Sequence, residues 1–85
     1  MIVSITQSHL TPSQLAFLQL LNSDDVILCR ADGVYACAGL IQSEVRPRCL
    51  ALQDDCLSRG ITSAQSVTMA ELIQLQATHQ QWITL

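Results

Sequence analysis

The sequence predicts a small α/β protein, an open, mainly parallel four-stranded sheet flanked by helices in three layers. Short apolar, β-branched runs such as Ile2-Val3-Ser4-Ile5 and Val26-Ile27-Leu28-Cys29 lack the alternation of a half-exposed strand and read as strands covered on both faces. Helix-start signals stand between these runs, which is the βα alternation of a parallel sheet. The second run breaks at its carboxyl end into Asp32-Gly33, where open α/β sheets keep their working loops.

Residues 2–5 form the first strand. After a loop through His9, Thr11-Pro12-Ser13-Gln14 supplies a cap, a proline suited to the first helical position and a glutamine three residues beyond the threonine. The helix is expected to run to about Leu21, with Leu15, Phe17, Leu18, Leu20 and Leu21 forming a broad stripe against the sheet. The second strand spans residues 26–29, followed by a tight Asp32-Gly33 turn and a short helix over about 34–40 that Gly39 weakens near its end. Pro47 forbids a helix through the next segment and favours an extended start, so Arg48 to Leu52 is the third strand. Asp54 and Asp55 are expected to cap a short helix over 56–59. Gly60 ends that helix in a left-handed conformation, with Arg59 near the negative end of the dipole. Residues 63–67 make a weaker fourth strand, and Thr68-Met69-Ala70-Glu71 is a second capping box opening a helix that runs to about His79. Trp82 and Ile83 are read as exposed apolar residues beyond it.

Eighty-five residues suffice for one hydrophobic core, so 1–85 is expected to be a single domain. The chain is 49% hydrophobic and 13% charged and contains no lysine. Apolar surface should be left over, and a partner subunit is the ordinary cover for it. The net charge is −3 and the cations are Arg30, Arg46, Arg48 and Arg59, which excludes a basic stripe able to neutralise many phosphates. Direct nucleic-acid binding is therefore not expected. No apolar run approaches the roughly 20 residues that span a bilayer, and the opening residues lack the charged start of a signal peptide, so a cytoplasmic location is expected.

In a reducing compartment Cys29, Cys37, Cys49 and Cys56 are expected to be free thiols, since none forms a C-x-x-C pair. His9 and His79 lie far apart in sequence, so no metal site is expected. Cys29 and Cys49 sit inside strands as inert thiols. Cys37 is more than one turn into its expected helix, where the dipole's effect on a thiol has faded. Cys56 stands nearest a helix start, but Asp54 and Asp55 beside it disfavour a thiolate. Asp32 reads as a turn residue bonding its own backbone. His9 lies in a loop at the carboxyl end of the first strand, where ligand-facing residues collect. His79 serves as a favourable cation at a helix end. Neither G-x-G-x-x-G nor G-x-x-x-x-G-K is present, so the usual nucleotide cofactors are not expected. No nucleophile, base and orienter come together: catalytic, cofactor and metal residues are all read as none.

The order of motifs resembles one family. Asp32-Gly33-Val34-Tyr35-Ala36 follows an apolar strand, Leu50-Ala51-Leu52-Gln53-Asp54-Asp55 leads to Ser58-Arg59-Gly60-Ile61, and Leu75-Gln76-Ala77-Thr78-His79 precedes Trp82. Together they resemble TusB/DsrH, the smallest of three subunit types in the DsrE/DsrF/DsrH-like superfamily. That resemblance implies a cytoplasmic heterohexamer with TusC-like and TusD-like subunits. Such a complex relays persulfide sulfur to a TusE-like acceptor for 2-thiolation of the tRNA wobble uridine, and the DsrEFH counterpart serves a DsrC-like protein in sulfur oxidation. In the TusD/DsrE type the sulfur-carrying cysteine follows the third strand, and here that position falls on Leu52, eight residues before Gly60. Some DsrH chains also carry a cysteine in the first long helix, and residues 14–21 contain none. The resemblance thus implies a non-catalytic subunit. Two alternatives stand beside it: a sulfurtransferase carrying persulfide on Cys56 or Cys49, and a binding module that self-associates when isolated.

Overall fold

The computed structural model describes residues 1–43, 45–63 and 65–85. Its centre is a parallel sheet of five strands, β1 (Ile2–Ile5), β2 (Val26–Cys29), β3 (Arg48–Leu52), β4 (Ser66–Val67) and β5 (Trp82–Thr84), in the order β4-β3-β2-β1-β5. The expected α/β class and parallel sheet hold. The strand count does not: Trp82, Ile83 and Thr84 form a fifth strand beside Ile2, Val3 and Ser4. These three residues are good strand formers, but a short edge strand exposed on both faces carries no burial pattern to announce it. Its presence turns β1 from an edge into an interior strand, which explains why all four β1 residues are buried.

Four α-helices connect the strands: α1 (Pro12–Gln19), α2 (Cys37–Gln42), α3 (Gln53–Ser58) and α4 (Met69–Thr78). The steps from β1 to β2, β3 and β4 run one way across the sheet, so right-handed crossovers place α1, α2 and α3 on one face. The return from β4 to β5 runs the other way and lays α4 on the opposite face. Two cores result. Val3, Ile5, Ile27, Cys29, Cys49 and Ala51 pack with Leu18, Leu40 and Cys56 of the three helices. Their alternate neighbours Ile2, Val26, Leu28, Leu50 and Leu52 pack with Leu72 of α4. Fully burying each such aliphatic side chain contributes roughly 1.5–3 kcal/mol, so β1 to β3, buried on both faces, hold the fold.

Both capping boxes form as expected. Thr11 Oγ1 accepts from the Gln14 N–H while Gln14 Oε1 accepts from the Thr11 N–H, and Thr68 and Glu71 repeat the arrangement. Other boundaries move. α1 stops at Gln19, leaving Leu20 exposed and Leu21 folded into the core. The helix expected over 34–40 is a 3₁₀ helix, Ala31–Tyr35, followed by α2. The helix expected at 56 begins at Gln53, directly after β3, so Asp54 and Asp55 occupy its first turn instead of capping it. There the carboxylates face the positive end of the dipole. Gly60 has φ +67° and closes α3 as expected. The fourth strand is confined to Ser66–Val67, and Ala64, assigned to it from sequence, lies outside the described residues, as does Glu44 in the loop before Pro47.

A candidate functional site at the carboxyl edge of the sheet

Three connections meet where β1, β2 and β3 end. The Arg30 N–H donates to the Ile5 carbonyl at 2.9 Å, extending the ladder one residue beyond β2. Arg30 Nε then donates to Ser4 Oγ at 2.6 Å. Ser4 is the polar residue within an otherwise apolar strand and is completely buried, so its hydroxyl requires a partner, and Arg30 is that partner. The following residue, Ala31, has φ +51°, a left-handed backbone that a Cβ makes costly. Its N–H donates to Asp55 Oδ2 at 2.7 Å, a charge-assisted bond from β2's end to the first turn of α3. Asp32 does not bond its own backbone as expected from sequence. Its carboxylate accepts from Arg59 Nε at 3.2 Å, and Arg59 Nη1 also donates to the Asp55 carbonyl at 3.2 Å.

Gly33 sits beneath this network, with its N–H on the Arg30 carbonyl at 2.9 Å. It is glycine because of close approach, since a Cβ there would stand 2.0 Å from the Ile5 carbonyl oxygen. The left-handed residue of this turn is Ala31. Ala31→Gly therefore relieves strain while loosening the unfolded chain, and a net gain of about 0.5–1 kcal/mol is expected. Urea unfolding followed by circular dichroism measures it, and a loss of stability would mean that the turn is not strained at this residue.

The edge is rich in charge but poor in nucleophiles. Ser4 is sealed behind Arg30. Leu52 is the buried last residue of β3 and the residue from which α3 starts. All four cysteines are free and buried, at 0% exposure for Cys29, 3% for Cys37 and Cys56, and 6% for Cys49. They share the core under α1, α2 and α3. Burial pushes the Cys49 thiol up to about 11. Cys29 is raised by its interaction with the neighbouring Cys37 thiol and then by burial. Cys56 is raised by burial first, then by Cys37 and Asp55, with Arg59 opposing. Cys37 is lowered by the neighbouring Cys29 thiol, against the effect of its own burial. Cys37 also borders a cleft of about 300 Å³ with Val34, Ile41, Ile61 and Ser63.

The histidines stay apart. His9 Nδ1 lies 3.0 Å from Ser8 Oγ beside an apolar cleft formed with Leu10, Leu15 and Leu40. His79 caps α4, its ring nitrogens 2.9 Å from the Leu75 carbonyl and 3.1 Å from that of Asp24. Among the described residues, no group of three or more His, Cys, Asp or Glu is placed to hold a metal ion, and no helix is long and apolar enough to cross a membrane. The Ser4–Arg30 and Ala31–Asp55 contacts have one forerunner in the sequence, a serine inside an apolar strand.

Together these contacts describe a parallel α/β sheet whose carboxyl edge is tied by one ion pair, Asp32 with Arg59, among the described residues, and whose four thiols lie in the core. The family model described as DsrH like protein matches residues 8–82, and the chain belongs to that DsrH-like family, which is associated with sulfur relay. The solution NMR structure of protein Tm0979 from Thermotoga maritima superposes with a TM-score of 0.71 at 21% sequence identity, covering 95% of this chain and 97% of that one, a likeness of fold. No curated protein matches the sequence.

Proposed function

We propose that residues 1–85 act as one DsrH-like domain, a non-catalytic subunit of a cytoplasmic sulfur-relay complex of the TusBCD/DsrEFH type. In this reading it assembles with TusC-like and TusD-like subunits into a heterohexamer. The assembly passes persulfide sulfur to a TusE/DsrC-like acceptor and supports 2-thiolation of the tRNA wobble uridine without itself binding nucleic acid. The observation that carries the reading is the state of the thiols. Cys29, Cys37, Cys49 and Cys56 are all buried in one core, and Leu52, which the family resemblance matches to the sulfur-carrying position of the TusD/DsrE type, holds no thiol. A persulfide carrier has to present its sulfur to a donor and then to an acceptor, and a buried thiol does neither. The subunit's contribution is then structural: a rigid sheet and apolar surface for the others to pack on.

Intact-mass spectrometry after incubation with a persulfide donor tests this. The isolated chain is expected to gain no sulfur, and, co-expressed with TusC-like and TusD-like chains, to co-purify with them while the TusD-like chain gains the sulfur. A gain of one sulfur on this chain, abolished by Cys56→Ser or Cys49→Ser, would move it to the sulfurtransferase alternative.

A further inference from the structure

Cys29 ends β2 and Cys37 opens α2, so the two bracket the turn that carries Arg30, Ala31, Asp32 and Gly33. Both side chains lie in the core under α1, α2 and α3. The sheet register sets Cys29 beside Ala51, whose single methyl leaves room above β3. Cys37 reaches over that strand, its Sγ 4.0 Å from the Cys49 carbonyl. The Cys29 and Cys37 thiols are direct neighbours there. We propose that hydrogen peroxide, entering by the cleft at Cys37, oxidises this pair to a Cys29–Cys37 disulfide that locks the turn between them.

Access and ionisation both single out Cys37 as the thiol that reacts first. It borders the cleft of about 300 Å³ formed with Val34, Ile41, Ile61 and Ser63, whereas Cys29 is fully buried. A water's share of liquid volume is about 30 Å³, and peroxide is little larger, so the cleft has ample room for it. An aromatic disulfide needs far more space at the sulfur. The neighbouring Cys29 thiol favours the Cys37 thiolate, which is the form that attacks peroxide.

The chemistry balances with peroxide as the oxidant. The Cys37 thiolate attacks one peroxide oxygen, the O–O bond breaks, and the departing hydroxide takes up the proton that the thiol released. Sulfur has lost two electrons and is a sulfenic acid. The Cys29 sulfur then attacks the Cys37 sulfur, the S–O bond breaks, and the hydroxyl leaves with the Cys29 proton as water. Two thiols and one peroxide become one disulfide and two waters. The remaining thiols are placed otherwise. Cys49 Sγ turns to the Pro47 carbonyl, 4.0 Å away, toward the start of β3. Cys56 stands on α3, where burial first, then Cys37 and Asp55, disfavour its thiolate. In the reduced chain the turn is held to α3 by Ala31 with Asp55 and by Asp32 with Arg59. The disulfide ties its two ends to each other, so the turn stays closed when those contacts open.

Non-reducing tryptic mapping of the full-length native chain after peroxide treatment tests this independently of the sulfur-relay reading. Trypsin cuts after Arg30, so the bond is expected to hold the peptide ending there to the peptide that begins at Ala31, until dithiothreitol separates them. Cys49→Ser and Cys56→Ser are expected to keep the bond. Cys37→Ser is expected to abolish it, and Cys29→Ser to leave oxygen on Cys37 in its place. The oxidised chain is expected to unfold at a higher urea concentration than the reduced chain, because a crosslink restricts the unfolded state. A wild-type map with every thiol unpaired, with oxygen on Cys37 in place of the bond, or with the bond between any other pair overturns the proposal without any variant. A lower urea midpoint for the disulfide form overturns the lock.

Discussion

Gly33→Ala is expected to destabilise the protein by about 3 kcal/mol or more, enough to unfold much of a small domain at physiological temperature. The added methyl would sit 2.0 Å from the Ile5 carbonyl oxygen and 2.6 Å from its carbon, far inside van der Waals contact. Neither side can give. Ile5 belongs to β1, which is paired on both sides and buried on both faces, and its carbonyl already accepts the Arg30 N–H. The 3₁₀ helix that carries Gly33 is tied at its start by Ala31 to Asp55 and by Asp32 to Arg59. Relief requires breaking the turn or the end of the ladder. Gly39→Ala is the matched control. It lies in α2 with nothing within 4 Å of the added methyl, so only its helix propensity acts, in the stabilising direction by about 0.5–1 kcal/mol. Urea unfolding of both variants separates a steric cost from a general cost of replacing glycine. Equal midpoints for Gly33→Ala and wild type would show that the turn stands away from β1.

The same turn shows what a sequence discloses and what it withholds. Local chemistry was legible. Pro47 set the start of β3, and the threonine boxes at Thr11 and Thr68 set the starts of α1 and α4, because each signal acts within a few residues. Gly60 was legible for the same reason. Asp32-Gly33 gave the right place and the wrong cause: the pair marks a chain reversal, but the left-handed residue is Ala31 and the glycine answers to a carbonyl 28 positions earlier in the chain. Arg30 with Ser4, and Asp55 with Ala31, are joined only when parallel strands bring their carboxyl ends together. No spacing rule links residues 26 or 24 positions apart. β5 was missed because a three-residue edge strand gains its identity from β1, its neighbour, and not from its own pattern. Recognising the family needed none of these contacts, since the motif order survives where the individual roles differ.

The thiols supply the second large effect. In native protein at mildly alkaline pH, none of Cys29, Cys37, Cys49 and Cys56 is expected to react with an aromatic disulfide reagent in the time a free small thiol needs to react fully. All four are expected to react once the chain is unfolded in guanidinium. Ionisation and access have to be weighed separately here. For Cys29, Cys49 and Cys56 both act against reaction, because burial raises each thiol and also hides it. Cys37 divides the two: the Cys29 thiol favours its thiolate, yet its side chain is only 3% exposed at the edge of a cleft. If ionisation governed, Cys37 would label first and at moderate pH. If access governs, it waits for local opening like the other three. Access is expected to win, because a reagent must bring its sulfur in line with the attacking thiolate and only 3% of Cys37 is exposed. Peptide mapping after brief labelling reads this position by position. Stoichiometric labelling of any one cysteine in the folded chain would reveal a usable sulfur nucleophile and favour the sulfurtransferase alternative over the proposed non-catalytic role.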